Sequence, residues 1–239
     1  MTYFVNGIQD PVVRQALMHY TLDGGAGRLL DGDDDDLNTS SFTVYEIDEL
    51  MSMGEQNAIP TMLYIFRRFI KTLTGQPAFL LMDEVWVMLG HKAYRDQLRD
   101  FLLELRRANC GVVLATQSLS AYANSGILDV LLEQCSTKIF LPNREAEKET
   151  SAAFYRQFGL NDREIMLIKT AEPKKHYYYT SALGRRMYQL DLGPVALSFV
   201  AVSDKDSIRD VKAMQSAHGS EWPIKWMEHR GVDYAKYFA

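Results

Sequence analysis

A chain of 239 residues with 47% hydrophobic and 24% charged side chains has the composition of a globular domain and not of a disordered segment. Its net charge of −5 argues against a surface that grips nucleic acid through phosphates, which takes a concentrated basic face, although an internal basic pore formed only in an oligomer would escape that test. No run approaches the ~18 apolar residues of a transmembrane helix, and the first 20 residues lack the charged start and apolar core of a secretion signal. The two cysteines, Cys110 and Cys135, sit in or beside apolar stretches and read as buried thiols of a reducing compartment. A cytoplasmic chain is expected.

In chain order, residues 1–40 are turn-rich. Asp23-Gly24-Gly25-Ala26-Gly27 and Asp31-Gly32 are strong turn signals, and Asp33 to Asp36 form a run of four carboxylates. A solvated acidic loop accounts for that run, since its spacing is not that of an EF-hand calcium loop. Residues 42–47, FTVYEI, alternate and are β-rich, which predicts a strand. Ile59, Met62, Leu63, Phe66, Phe69, Ile70 and Leu73 then share one helical face, closed by Gly75-Gln76-Pro77. Ala78 to Met82 is a short, wholly apolar run, as expected of a strand buried on both faces. A helix through Leu98, Phe101, Leu102 and Leu105 follows, broken at Asn109 to Gly111. Residues 112–115 predict a third strand, 127–132 a helix and 137–141 a fourth strand.

Strand and helix in alternation predict a parallel sheet with covering helices. Beyond it, residues 145–158 and 162–169 read as helices. Residues 176–181 and 185–190 read as a hairpin across Ala182-Leu183-Gly184. The last ~45 residues read as helices, with Trp222 and Trp226 four apart on one face. The domain reading is a turn-rich segment over 1–40 and the main domain with its helical tail over 41–239.

The chemistry concentrates where two strands end. Phe79-Leu80-Leu81-Met82 runs into Asp83-Glu84, and a parallel strand delivers its C-terminal end to the site edge of the sheet. An acid there can hold Mg²⁺, usually through water, and a second can activate a water against a γ-phosphate. Asp83 fits the first role and Glu84 the second. A strand that merely leads into a capped helix also ends this way. The next strand runs into Thr116-Gln117, a polar pair suited to sense a γ-phosphate or position a water. A turn that caps the following helix is the alternative. Between them, Arg95, Arg99 and Arg106 lie within about 40° on a helical wheel. The stripe suits either an arginine finger toward a neighbouring subunit or a solvated face balanced by Asp96 and Asp100. The phosphate-cradling G-x-x-x-x-G-K-[ST] loop is nowhere in the 239 residues. Gly24 to Gly27 does not replace it, because Arg28-Leu29 stand where Lys-Ser/Thr would be needed.

The stretch 79–91, FLLMDEVWVMLGH, resembles the Walker B region of TrbE-like conjugative transfer and type IV secretion ATPases. So do residues 105–110, 115–120, 124–129 and 138–143, and Tyr177-Tyr178-Tyr179 with Gly184-Arg185-Arg186. The resemblance runs from about Tyr20 to the end. It implies an α/β, RecA-like P-loop NTPase fold with flanking helices, followed by the C-terminal hairpin and helices. ATP and Mg²⁺ are its implied ligands, and Asp83, Glu84, Thr116, Gln117 and Arg106 the matching site residues. It also implies ring-like homo-oligomers at the inner face of a bacterial inner membrane, among other secretion components. Such proteins are several times longer, so this chain is expected to be their C-terminal part, incomplete in lacking the phosphate-loop strand. That strand would lie between 112–115 and 137–141, and its lack would leave a slot there. A DNA-pumping motor of the same superfamily and a non-catalytic interaction remnant are the competing readings. Direct nucleic-acid binding is not expected from the net charge.

Overall fold

The computed structural model describes residues 1–32, 34, 37, 40–85, 89–90 and 92–237. Asp33, Asp35 and Asp36 of the acidic run, and Trp86, Val87, Met88 and His91 of the Walker B-like stretch, lie outside the described residues. The chain divides into two compact units, Met1–Gln134 and Cys135–Ala239.

The first unit opens with short helices where turns were expected: α1 (Thr2–Asn6), α2 (Pro11–Met18) and α3 (Gly27–Leu30). Asp10 starts α2 by accepting from the amides of Val12 and Val13, ahead of a proline that lacks the amide a first turn cannot use. The glycine-rich run has a steric role. A Cβ on Gly24 would lie 2.2 Å from the Met18 carbonyl oxygen, and one on Gly27 2.0 Å from that of Thr21. Residues 42–47 form no strand, contrary to expectation, and join no ladder among the described residues; Phe42 and Val44 are exposed. Alternation reports two-faced polarity, but a strand also needs a neighbour to bond with.

Helix α4 (Asp48–Ser52) leads into α5 (Glu55–Thr72). Pro60 inside α5 has no N–H for the Gln56 carbonyl. That carbonyl accepts the Tyr20 hydroxyl instead, at 2.8 Å. Ala58, Met62 and Phe66 form the buried edge of α5. The Phe66 ring meets Phe101 at 5.3 Å, on α6 (Lys92–Arg107). Tyr94, Leu98, Phe101, Leu102 and Leu105 bury one face of α6, which packs on β2.

The sheet of this unit is a parallel pair, β1 (Ala78–Met82) with β2 (Cys110–Leu114), registered from Ala78 opposite Cys110 to Met82 opposite Leu114. At the starting edge Asn109, in the left-handed region at φ 58, donates its side-chain amide to the Gly75 carbonyl at 3.1 Å. Only one face of the pair is covered. Phe79 and Leu81 on the other are 72% and 70% exposed, although parallel strands are normally buried on both sides. Helices α7 (Leu119–Ala123) and α8 (Leu128–Gln134) complete the unit.

In the second unit, β3 (Lys138–Phe140) pairs antiparallel with β4 (His176–Ser181), and β4 with β5 (Gly184–Gln189). The hairpin stands as expected, but β3 is not the fourth strand of a parallel sheet. It bonds to the hairpin arm instead. Between β3 and β4 lie α9 (Glu149–Gln157) and α10 (Asp162–Thr170). The carboxylate of Glu164 ties α10 to the hairpin. It accepts from the Asn161 amide in a capping box, from the Tyr178 hydroxyl at 2.8 Å and from Arg185 at 2.9 Å. Burial pushes its pKa up, but those donors more than offset that and hold it below the usual carboxylate range. Burial and the same carboxylate push Tyr178 up to about 12. The tail is α11 (Pro194–Val200), α12 (Lys205–His218) and α13 (Trp222–His229). Trp226, 1% exposed, donates its indole N–H to the Ser198 carbonyl at 2.7 Å.

Candidate functional site

The site forms where β1 and β2 end together. Their in-register parallel pairing brings the residues after Met82 and after Leu114 to the same edge. Two backbone bonds extend the register past the strands: the Ala115 amide to the Met82 carbonyl at 2.8 Å, and the Val85 amide to the Ala115 carbonyl at 3.2 Å. Val85 is fully buried and anchors this turn, whereas Asp83 is exposed and Glu84 half-buried.

Glu84 sits in the left-handed region at φ 51, costly for a residue with a Cβ. The Asp83 carboxylate accepts the Glu84 amide at 2.9 Å, which supports the tight turn. The consequence is an aimed side chain: the Gln117 amide donates to the Glu84 carboxylate. Asp83, Glu84 and Gln117, chosen from separate strand ends, are thereby brought together. Thr116 lies beside them in a local turn, its hydroxyl accepting the Ser118 amide at 3.0 Å. Ser118 caps α7 through the Ala121 amide at 3.2 Å. The turn therefore does both things the sequence left open: it caps a helix and presents Gln117 to the acid.

The arginine stripe is divided. Helix α6 crosses back from the site edge to the start of β2, so its first turns lie near the acids and its last turn at the opposite edge. Arg95 donates to the Leu89 carbonyl at 3.1 Å. Arg106 stands about 16 Å further along the helix axis, exposed in the last turn. It is not brought to Glu84 of its own chain. Sequence reasoning missed the left-handed Glu84 and its contact with Gln117. No composition or spacing rule marks a non-glycine φ above zero, and the contact depends on a register visible only once the strands pair.

The conjugal transfer protein TrbE of Rhizobium radiobacter is 49% identical over 232 residues, which is 97% of this chain and 28% of that protein. The chain belongs to the TrbE-like family. A probable conjugal transfer protein TrbE of Sinorhizobium fredii is 46% identical over 95% of this chain and 34% of its own length. The type IV secretion system protein virB4 of Bartonella quintana is 32% identical over 60% of the chain. The TrbE-like chain thus spans about a third or less of the curated relatives it matches. Among solved structures, VirB4 of Thermoanaerobacter pseudethanolicus superposes with a TM-score of 0.62 at 16% identity, over 78% of this chain and 51% of that one. This shows a shared α/β fold. No protein-family model matches, and no described helix is long and apolar enough to cross a membrane.

Proposed function

We propose that the TrbE-like chain is the part of a conjugative-transfer or type IV secretion ATPase that supplies the acid pair and polar sensor of the nucleotide site. Its α/β unit is then a portion of a RecA-like domain, and the phosphate-gripping loop comes from polypeptide outside these 239 residues. The observation that carries this reading is the β1–β2 register, which sets Asp83-Glu84 and Thr116-Gln117 on one edge with Glu84 bonded to Gln117.

The donor set suits Mg²⁺, which is commonly held by one or two carboxylates together with waters and substrate phosphates. Asp83, exposed at a strand end, would hold it through water. When bound, the ion supplies neutralising charge at the phosphate oxygens of ATP. Glu84 is placed to take a proton from the attacking water, with Gln117 orienting its carboxylate and Thr116 alongside. Arg106, remote from its own acids, would act on the nucleotide of a neighbouring subunit in a ring. Such a ring would work among conjugation and type IV secretion components, peripheral to the inner membrane, a reading that draws its support from the names of the relatives.

The test uses a longer TrbE relative carrying its phosphate loop. Glu84→Gln should retain ATP binding and lose hydrolysis by about 10²-fold or more, as expected for a general base. Asp83→Ala should instead weaken Mg²⁺-dependent binding. Turnover within about two-fold of wild type for both would remove the assignment. Purified by itself, the 239-residue chain should not turn over ATP, since phosphate-gripping backbone amides and a lysine are essential to such sites. A rate matching a longer relative, and abolished by Glu84→Gln, would overturn that expectation.

A further inference from the structure

The outward face of the β3–β4–β5 sheet has no role in the nucleotide site. Along β4 the burial alternates: Tyr178 and Thr180 are buried, at 4% and 6% exposure, while Tyr177 and Tyr179 are half-exposed. The register sets Tyr177 opposite Tyr188 and Tyr179 between Ile139 and Arg186. The Tyr177 and Tyr188 rings stack at 5.5 Å and 28°, and Tyr179 meets Tyr188 edge-on at 6.5 Å. Three phenol rings thus form one continuous platform, with the exposed Arg186 at its side.

The charge here reverses that of the chain. From residue 169 to 190 the sequence carries Lys169, Lys174, Lys175, Arg185 and Arg186 against Glu172 alone. Lys169, Lys175 and Arg185 face Glu147, Glu172 and Glu164. Arg186 and Lys174 have no acidic partner among the described residues. Aromatic rings flanked by unneutralised cations are what a single-stranded nucleic acid requires, because every base offers a π-face to stack and the backbone brings phosphates to the cations. A duplex hides those faces.

We propose that this face binds single-stranded nucleic acid, stacking bases on Tyr177, Tyr179 and Tyr188 and placing a phosphate against Arg186. The net charge of −5 does not oppose this, since the cations are local to one face. The site is independent of the nucleotide-binding edge.

The experiment is fluorescence anisotropy of the full 239-residue chain with a labelled oligothymidine of about 12 nucleotides, within the range one binding module covers. Binding is expected at about 50 mM salt, with log K falling against log salt by about 0.7 per phosphate contacted. Tyr188→Ala should weaken it by about 5- to 100-fold, and Tyr188→Phe should leave it unchanged. Tyr179→Leu, which keeps apolar volume without a π-face, should weaken it while leaving the thermal melt intact. Arg186→Gln should flatten the salt slope by about 0.7. No binding at that salt would overturn the proposal, as would equal affinity in the Tyr188→Ala and Tyr179→Leu variants. Displacement by free AMP as effective as by unlabelled oligonucleotide would assign the face to mononucleotides and overturn it equally.

Discussion

At the scale of single residues, two carboxylates of this chain are held in opposite ways. Glu164 is embedded in donors, so its removal is a stability matter. Glu164→Ala should cost roughly 1–3 kcal/mol, the usual cost of leaving buried polar partners unsatisfied, read as a shift in denaturant midpoint. Its lowered pKa also fixes a pH dependence. The stabilisation is complete above the unfolded glutamate value of about 4.3 and fades as pH falls through the lower folded value. Denaturation at pH 7 and at pH 3 should show the second unit losing stability on acidification, by less in Glu164→Gln than in wild type. Glu84, by contrast, is constrained through its backbone. A β-branched residue at its φ of 51 is a true outlier, so Glu84→Val should cost roughly 1–2 kcal/mol. Glu84→Gly should be neutral or better. Melting both against Glu84→Gln separates backbone strain from the loss of the carboxylate.

Among the elements, the glycine-rich turn makes a sharp prediction. Gly24→Ala drives a methyl into the Met18 and His19 carbonyls and should cost about 1–3 kcal/mol, as overpacking does. Gly25→Ala meets the movable His19 ring, at 3.2 Å, and should cost less. Equal melting temperatures would contradict the steric role. How legible the elements were follows from the same physics. The helical faces of α5 and α6 were readable because their buried residues recur at three and four, and the hairpin because two β-rich runs flank a short turn. Strands β1 and β2 were readable as apolar runs bounded by breakers. The strand expected at residues 42–47 failed because alternation does not supply a partner. The placement of β3 failed because a three-residue strand carries no mark of which neighbour it will take. The acids and Thr-Gln pair were legible as strand ends, but the bond joining Glu84 to Gln117 was not.

For the molecule as a whole, the uncovered face of β1–β2 decides behaviour in solution. The expected slot between 112–115 and 137–141 was open to closure by direct pairing or by the N-terminal 20 residues. Neither is formed among the described residues: β2 pairs with β1, β3 with β4, and the N-terminal segment is helical. Phe79, Leu81 and Val113 stay exposed, at 72%, 70% and 49%, on strands with open edges. Such a surface associates. Sedimentation velocity should show concentration-dependent oligomers, reduced by Leu81→Thr with Val113→Thr. A monomer over a hundred-fold concentration range would count against this. The same feature has a consequence inside a cell. Chaperones and quality-control proteases triage exposed apolar surface, so a lone copy of this chain should be short-lived. Its abundance would then be set by whatever polypeptide shields that sheet, rising when the shield is co-expressed and collapsing without it, at constant messenger level.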